Sequence, residues 1–129
     1  MIYISTNSDG SSVVNLTVGD DATLTIPLKT DDGQTYVMAV DEHLIFSVRE
    51  KASPDSQLLF EIMSDNGSND ILFTHNDTKD MAPGFYSAEA QLMTSDDKRI
   101  TVWPKLTGKE RTNTGNRKNF CLMTEVVDS

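Results

Sequence analysis

Short runs in which apolar and polar residues alternate, turn-forming clusters about every 8 to 12 residues, and the lack of any window suited to a long helix mark this chain as all-β. It is expected to fold as a sandwich or barrel of about eight or nine short strands. A period of two puts every second side chain on one face, so each run reads as a strand with one buried face. Parallel pairing needs crossovers, usually helical, and none is visible, so the strands are expected to be antiparallel.

The elements follow in order. Within 13–18 the even positions Val14, Leu16 and Val18 are apolar, and Gly19-Asp20-Asp21 then makes a turn. Ala22, Leu24, Ile26 and Leu28 alternate with Thr23, Thr25, Pro27 and Lys29. Pro27 removes one ladder donor, which places that strand at an edge or gives it a bulge. Asp32-Gly33 tolerates the positive φ of a tight hairpin, with a short strand expected at 35–38. Leu44, Phe46 and Val48 share a face, as do Leu58, Phe60 and Ile62 beyond the Ser53-Pro54-Asp55 turn. A polar loop at 64–70 leads to extended structure at 71–74, and 77–83 allows one helical turn at most. Tyr86, Ala88, Ala90 and Leu92 make the longest clean alternation. After the turn at Ser95-Asp96-Asp97, Ile100, Val102 and Leu106 are expected in one strand, and 120–127 in the last.

Size and charge bound the function. With 129 residues the chain is expected to form one domain, 1–129, large enough to bury roughly two-thirds of its unfolded surface. Its 37% apolar residues are spread throughout, which argues against disorder. No apolar run approaches the roughly 20 residues of a membrane span, and the start Met1-Ile2-Tyr3-Ile4-Ser5 does not read as a secretory signal. No membrane role is expected, and synthesis is expected in a cytoplasm. Cys121 is the single cysteine, so no internal disulfide forms. Twenty acids against eleven bases give a net charge of −9, which disfavours nucleic acid as a partner. The charge is uneven: residues 1–50 carry −6, 51–100 carry −5 and 101–129 carry +2. The positive charge of that last block lies in 105–118, within a polar connection at 105–119 that is expected to be mobile.

Catalytic and metal constellations are sparse. His43 and His75 each have acids nearby, but a two-histidine, one-carboxylate site needs convergence that sequence does not show. No serine lies in a Gly-x-Ser-x-Gly elbow. The 65–70 and 31–33 loops offer hard oxygen ligands for calcium, yet Asp, Asn and Gly are also what turns require, and neither loop follows the EF-hand order. Cys121 reads as a small core residue. No catalytic residue, metal site or cofactor is expected.

Two features point to binding. If Tyr86 to Leu92 face the core at alternate positions, Phe85 points outward; if Ile100 and Val102 face it, Trp103 does too. Exposed on neighbouring strands, Phe85 and Trp103 would anchor an interface, unless a covering loop buries that side. On this reading Trp103→Ala weakens assembly with little loss of thermal stability. Lys109, Arg111, Arg117 and Lys118 would supply charge complementary to an acidic neighbour, including a second copy in a homo-oligomer.

The chain resembles the N-terminal domain family of phage baseplate upper proteins. The residues that carry the resemblance are Val18-Gly19-Asp20-Asp21-Ala22-Thr23-Leu24, Asp32-Gly33 followed by Tyr36, the run from Asp41 through Phe46-Ser47-Val48, Asp77-Thr78, Pro83-Gly84-Phe85-Tyr86-Ser87-Ala88-Glu89-Ala90-Gln91-Leu92, and the run from 100 to 106. The resemblance implies an immunoglobulin-like β-sandwich in the virion tail or baseplate, made in the bacterial cytoplasm and docking a fibre or receptor-binding component to other tail proteins. It implies no catalytic residues. The competing reading is a carbohydrate- or calcium-dependent binding module of the same architecture, its ligand held on loops such as 65–70.

Overall fold

A computed structural model describes residues 1–6, 11–30, 32–51, 55–104 and 118–124. Nine strands and one helical turn are present among them: β1 (Ile2–Thr6), β2 (Ser12–Thr17), β3 (Ala22–Thr25), β4 (His43–Arg49), β5 (Leu58–Met63), β6 (Asp70–Phe73), α1 (His75–Thr78), β7 (Gly84–Met93), β8 (Arg99–Trp103) and β9 (Phe120–Met123). The all-β expectation holds.

Seven strands make one sheet in the order β1-β2-β9-β7-β4-β5, with β8 also paired to β7; β3 and β6 form a separate two-stranded sheet. Between these layers lies the core, built from the faces the alternation marks: Val14 and Leu16, Leu24, Leu44 with Phe46 and Val48, Ile71 and Phe73, Ala88 with Ala90 and Leu92, and Phe120 with Leu122. Ile26 and Leu28 continue the inner face of β3 beyond its last ladder bond. Aromatic rings bind the layers at their centre. Phe46 meets Phe73 edge to face at 5.6 Å between centroids and lies 6.1 Å from both Phe120 and Trp103, separations at which ring pairs add to simple burial.

Four expectations are corrected. First, β2 and β9 pair in parallel, Val14 facing Phe120 and Leu16 facing Leu122, so the large sheet is mixed. The intervening hundred or so residues act as the crossover, a connection that helix content does not reveal. Second, 35–38 makes only an isolated bridge between Thr35 and Lys29. The next cross-hairpin bonds would use the N–H and carbonyl of Ile26, but both go to Asn69, the N–H to its carbonyl at 2.9 Å and the carbonyl to its Nδ2 at 2.7 Å. Third, Ile2–Thr6 pairs with β2 as an edge strand that the alternation did not flag.

The fourth concerns Trp103. Leu92 faces Ile100 and Gln91 faces Thr101, but Ala90 faces Trp103, so Val102 is an extra residue in β8. A bulge reverses the inside and outside alternation beyond it. Trp103 therefore turns into the core at 7% exposure, while Ile100 stands exposed near the start of the strand.

Candidate interaction face

Phe85 lies on β7 between Gly84, which faces Leu122, and Tyr86, which faces Phe120. Because those neighbours point inward, Phe85 points away from the core and is 58% exposed. Cross-strand register extends the row: Phe85 faces Cys121 on β9, Cys121 faces Asn15 on β2, and Asn15 faces Tyr3 on β1. Residues in register share a face, so Tyr3 and Phe85 are exposed aromatics at the two ends of one outward row.

The middle of this row is held in place by polar bonds. Asn15 Nδ2 donates to Ser5 Oγ at 3.0 Å and to the Val13 carbonyl at 3.2 Å. Tyr3 Oη approaches Met123 Sδ at 3.6 Å. Cys121 is half-buried, and burial raises the pKa of its thiol, which keeps it protonated near neutral pH. It belongs to the outer face, facing Asn15 and Phe85, rather than to the core the sequence suggested.

Lys118 is exposed just before β9. Asn119, next to it, donates its N–H to the Tyr86 carbonyl at 3.2 Å, so Lys118 and Phe85 flank the same stretch of β7. Trp103 does not join them: the bulge removes it from any outward face. Lys109, Arg111 and Arg117 lie outside the described residues, as does most of the 105–119 connection. Tyr3 was missed by the sequence reading, although Ile2-Tyr3-Ile4 carries the β-branched and aromatic composition of a strand.

The loops with acidic residues close turns. In 65–70 the Asp65 carbonyl accepts from Ser68 N–H at 3.0 Å, Ser68 Oγ accepts from Asp70 N–H at 3.1 Å, and Asp70 Oδ1 accepts from Thr25 Oγ1 at 2.6 Å. Gly67, at φ +78°, donates to the Glu42 carbonyl at 2.6 Å. At the other loop the Thr30 hydroxyl donates to Asp32, and this bond, followed by the Gln34 N–H, holds the Asp32 carboxyl below its usual range. His75 binds the Gly19 carbonyl through Nδ1 at 2.7 Å, while His43 lies on β4. Among the described residues no three His, Cys, Asp or Glu side chains converge as a metal site, and no helix is long and apolar enough to cross a membrane. A crevice at the β4–β5 connection is lined by Glu50, Lys51, Asp55, Ser56 and Gln57.

No family model, curated protein or solved structure matches the chain.

Proposed function

We propose that the chain is a non-enzymatic structural module of a phage or prophage virion, docking a fibre or receptor-binding component onto the tail or baseplate through protein-protein contacts. Carrying this reading is the row from Tyr3 to Phe85, where two exposed aromatics stand on the outer face of a seven-stranded sheet. Large exposed aromatics on a rigid, flat support are what interface anchors require. Lys118, exposed beside the same stretch of β7, adds a charge complement on an otherwise acidic body. The two-layer all-β architecture agrees with the resemblance, and the immunoglobulin-like form belongs to this proposal. So do the virion location and the tail-protein partners.

The test has two parts. Mass spectrometry of tail particles purified from the producing cells is expected to recover the chain in fixed ratio to other tail proteins; its absence from such particles would sink the virion reading. Phe85→Ser is expected to reduce incorporation into particles while leaving the melting temperature nearly unchanged. Normal incorporation of that variant would move docking away from this face.

A further inference from the structure

The hairpin that follows Pro27 leaves a strand edge open. Thr30 N–H donates to the Gln34 carbonyl at 2.8 Å, and Tyr36 N–H to the Leu28 carbonyl at 3.0 Å. In this pattern Lys29 and Thr35 are a non-hydrogen-bonded pair, so the N–H and C=O of Thr35 point away from the hairpin. Thr35 and Val37 are exposed while Tyr36 and Met38 pack on the core, the alternation of extended chain, so the N–H and C=O of Val37 point the same way. Among the described residues none of these four groups has a partner, and both residues are exposed, Val37 at 83%. The edge is nevertheless held firmly. Tyr36 and Met38 pack on the core, and Tyr36 Oη donates to the buried Glu42 Oε1 at 2.7 Å. It ends at Ala39, whose N–H binds Glu42 Oε1 at 2.9 Å and whose carbonyl accepts from Glu42 N–H at 3.0 Å.

Charge selects the occupant. Exposed Asp32 stands at one end of the edge and exposed Asp41 at the other. The turn carrying Asp65 abuts Val40, a Cβ at Gly67 falling 3.5 Å from Val40 Cα. Lys29 is exposed, but on the far strand of the hairpin. A second copy is a poor fit: antiparallel self-pairing about Tyr36 brings the Asp32 end of one chain to the Asp41 end of the other, like charges together. We propose that the 35–37 edge accepts an extended segment of a different protein as an added strand, with β-branched residues at alternate positions and Lys or Arg at both ends. Main-chain bonds to Thr35 and Val37 would supply attachment, and the flanking acids selectivity. This edge lies across the core from the outer face that carries Phe85, and it would bind such a strand whether or not the chain belongs to a tail.

The probe is a labelled peptide of alternating valine and threonine with lysine at each end, compared with the same peptide ending in glutamate. Saturable binding of the lysine form is expected, with amide shifts concentrated at Thr35 and Val37 and affinity falling as salt rises. The glutamate form should bind at least about tenfold more weakly. Val37→Pro removes one of the two outward donors and should weaken binding about tenfold. Asp32→Lys with Asp41→Lys removes no backbone donor or acceptor of the edge and should reverse the preference between the two peptides, which keeps the test informative if the proline variant misfolds. Shifts mapping elsewhere, equal binding of both peptides, or undiminished binding by a folded Val37→Pro would each overturn the assignment. So would a peptide-free dimer that Val37→Pro abolishes, since a second copy would then hold the edge.

Discussion

Two of the strand edges among the described residues lose their ladder partner part-way, one buried and one open to solvent. On one side of β7, β9 covers Gly84 to Tyr86 and β8 covers Ala90 to Met93, leaving Ala88 between them. There the Asn119 carboxamide replaces the missing strand: its Oδ1 accepts from Ala88 N–H at 2.6 Å and its Nδ2 donates to the Ala88 carbonyl at 2.8 Å. At Thr35 and Val37 no described residue takes that place. The difference is burial. Ala88 is 1% exposed and Asn119 4%, whereas Val37 is open to solvent. Leaving a buried backbone group unbonded costs about 1–3 kcal/mol, while an exposed one bonds to water. A protein therefore needs its own partner for an interrupted ladder only where water is excluded. Where water reaches, the edge stays available to another chain.

The largest effect is expected on the covered edge. Trp103 packs against Phe46 beside Ala90, so Trp103→Ala should cost about 3–5 kcal/mol and lower the melting temperature sharply. A loss within a few tenths would return Trp103 to the surface role expected from the sequence. Asn119→Ala strips both groups of Ala88 of their partner without admitting a strand. It should cost about 2–4 kcal/mol in denaturant unfolding and speed exchange of the Ala88 amide. Unchanged exchange there would mean that the carboxamide does not carry the ladder.

Smaller effects belong to the open hairpin. Its anchor, Tyr36, has its pKa raised first by the hydrogen bond to Glu42, then by burial and the Glu42 charge. Tyr86 is raised by burial and then by the Glu50 charge. With folded values above the usual tyrosine value of about 10, this contribution to stability is full below about pH 10 and lost as pH rises through the folded values. Urea midpoints should hold up to about pH 10 and fall beyond it, less steeply in Tyr36→Phe. A midpoint that rises with alkalinity would contradict the hydrogen-bonded phenol. Least affected is Val37→Ser, expected within about 0.5 kcal/mol of the parent by thermal melts. A larger loss would show that the edge is covered.

The strand faces were largely legible, because alternation is a local property: Leu44, Phe46 and Val48 and the run from Ala88 to Leu92 point inward as the sequence reads. Phe85 was legible for the same reason. Trp103 was not, because nothing in Ile100-Thr101-Val102-Trp103 announces that Val102 is extra. The bulge exists only in the pairing with β7. Val37 escaped notice as an edge because its ladder is broken from a distance, by Asn69 binding both the N–H and the carbonyl of Ile26.

By itself the sequence determined that this is an all-β chain, where its turns fall and which side of most strands is apolar, since these follow from residues within a few positions of one another. Only the tertiary structure decided the parallel pairing of β2 with β9, the inward turn of Trp103, the side-chain ladder at Ala88 and the open edge at Val37. The physical reason is that a strand chooses its faces locally but finds its hydrogen-bond partners in sequence-distant chain, where register and burial are settled together.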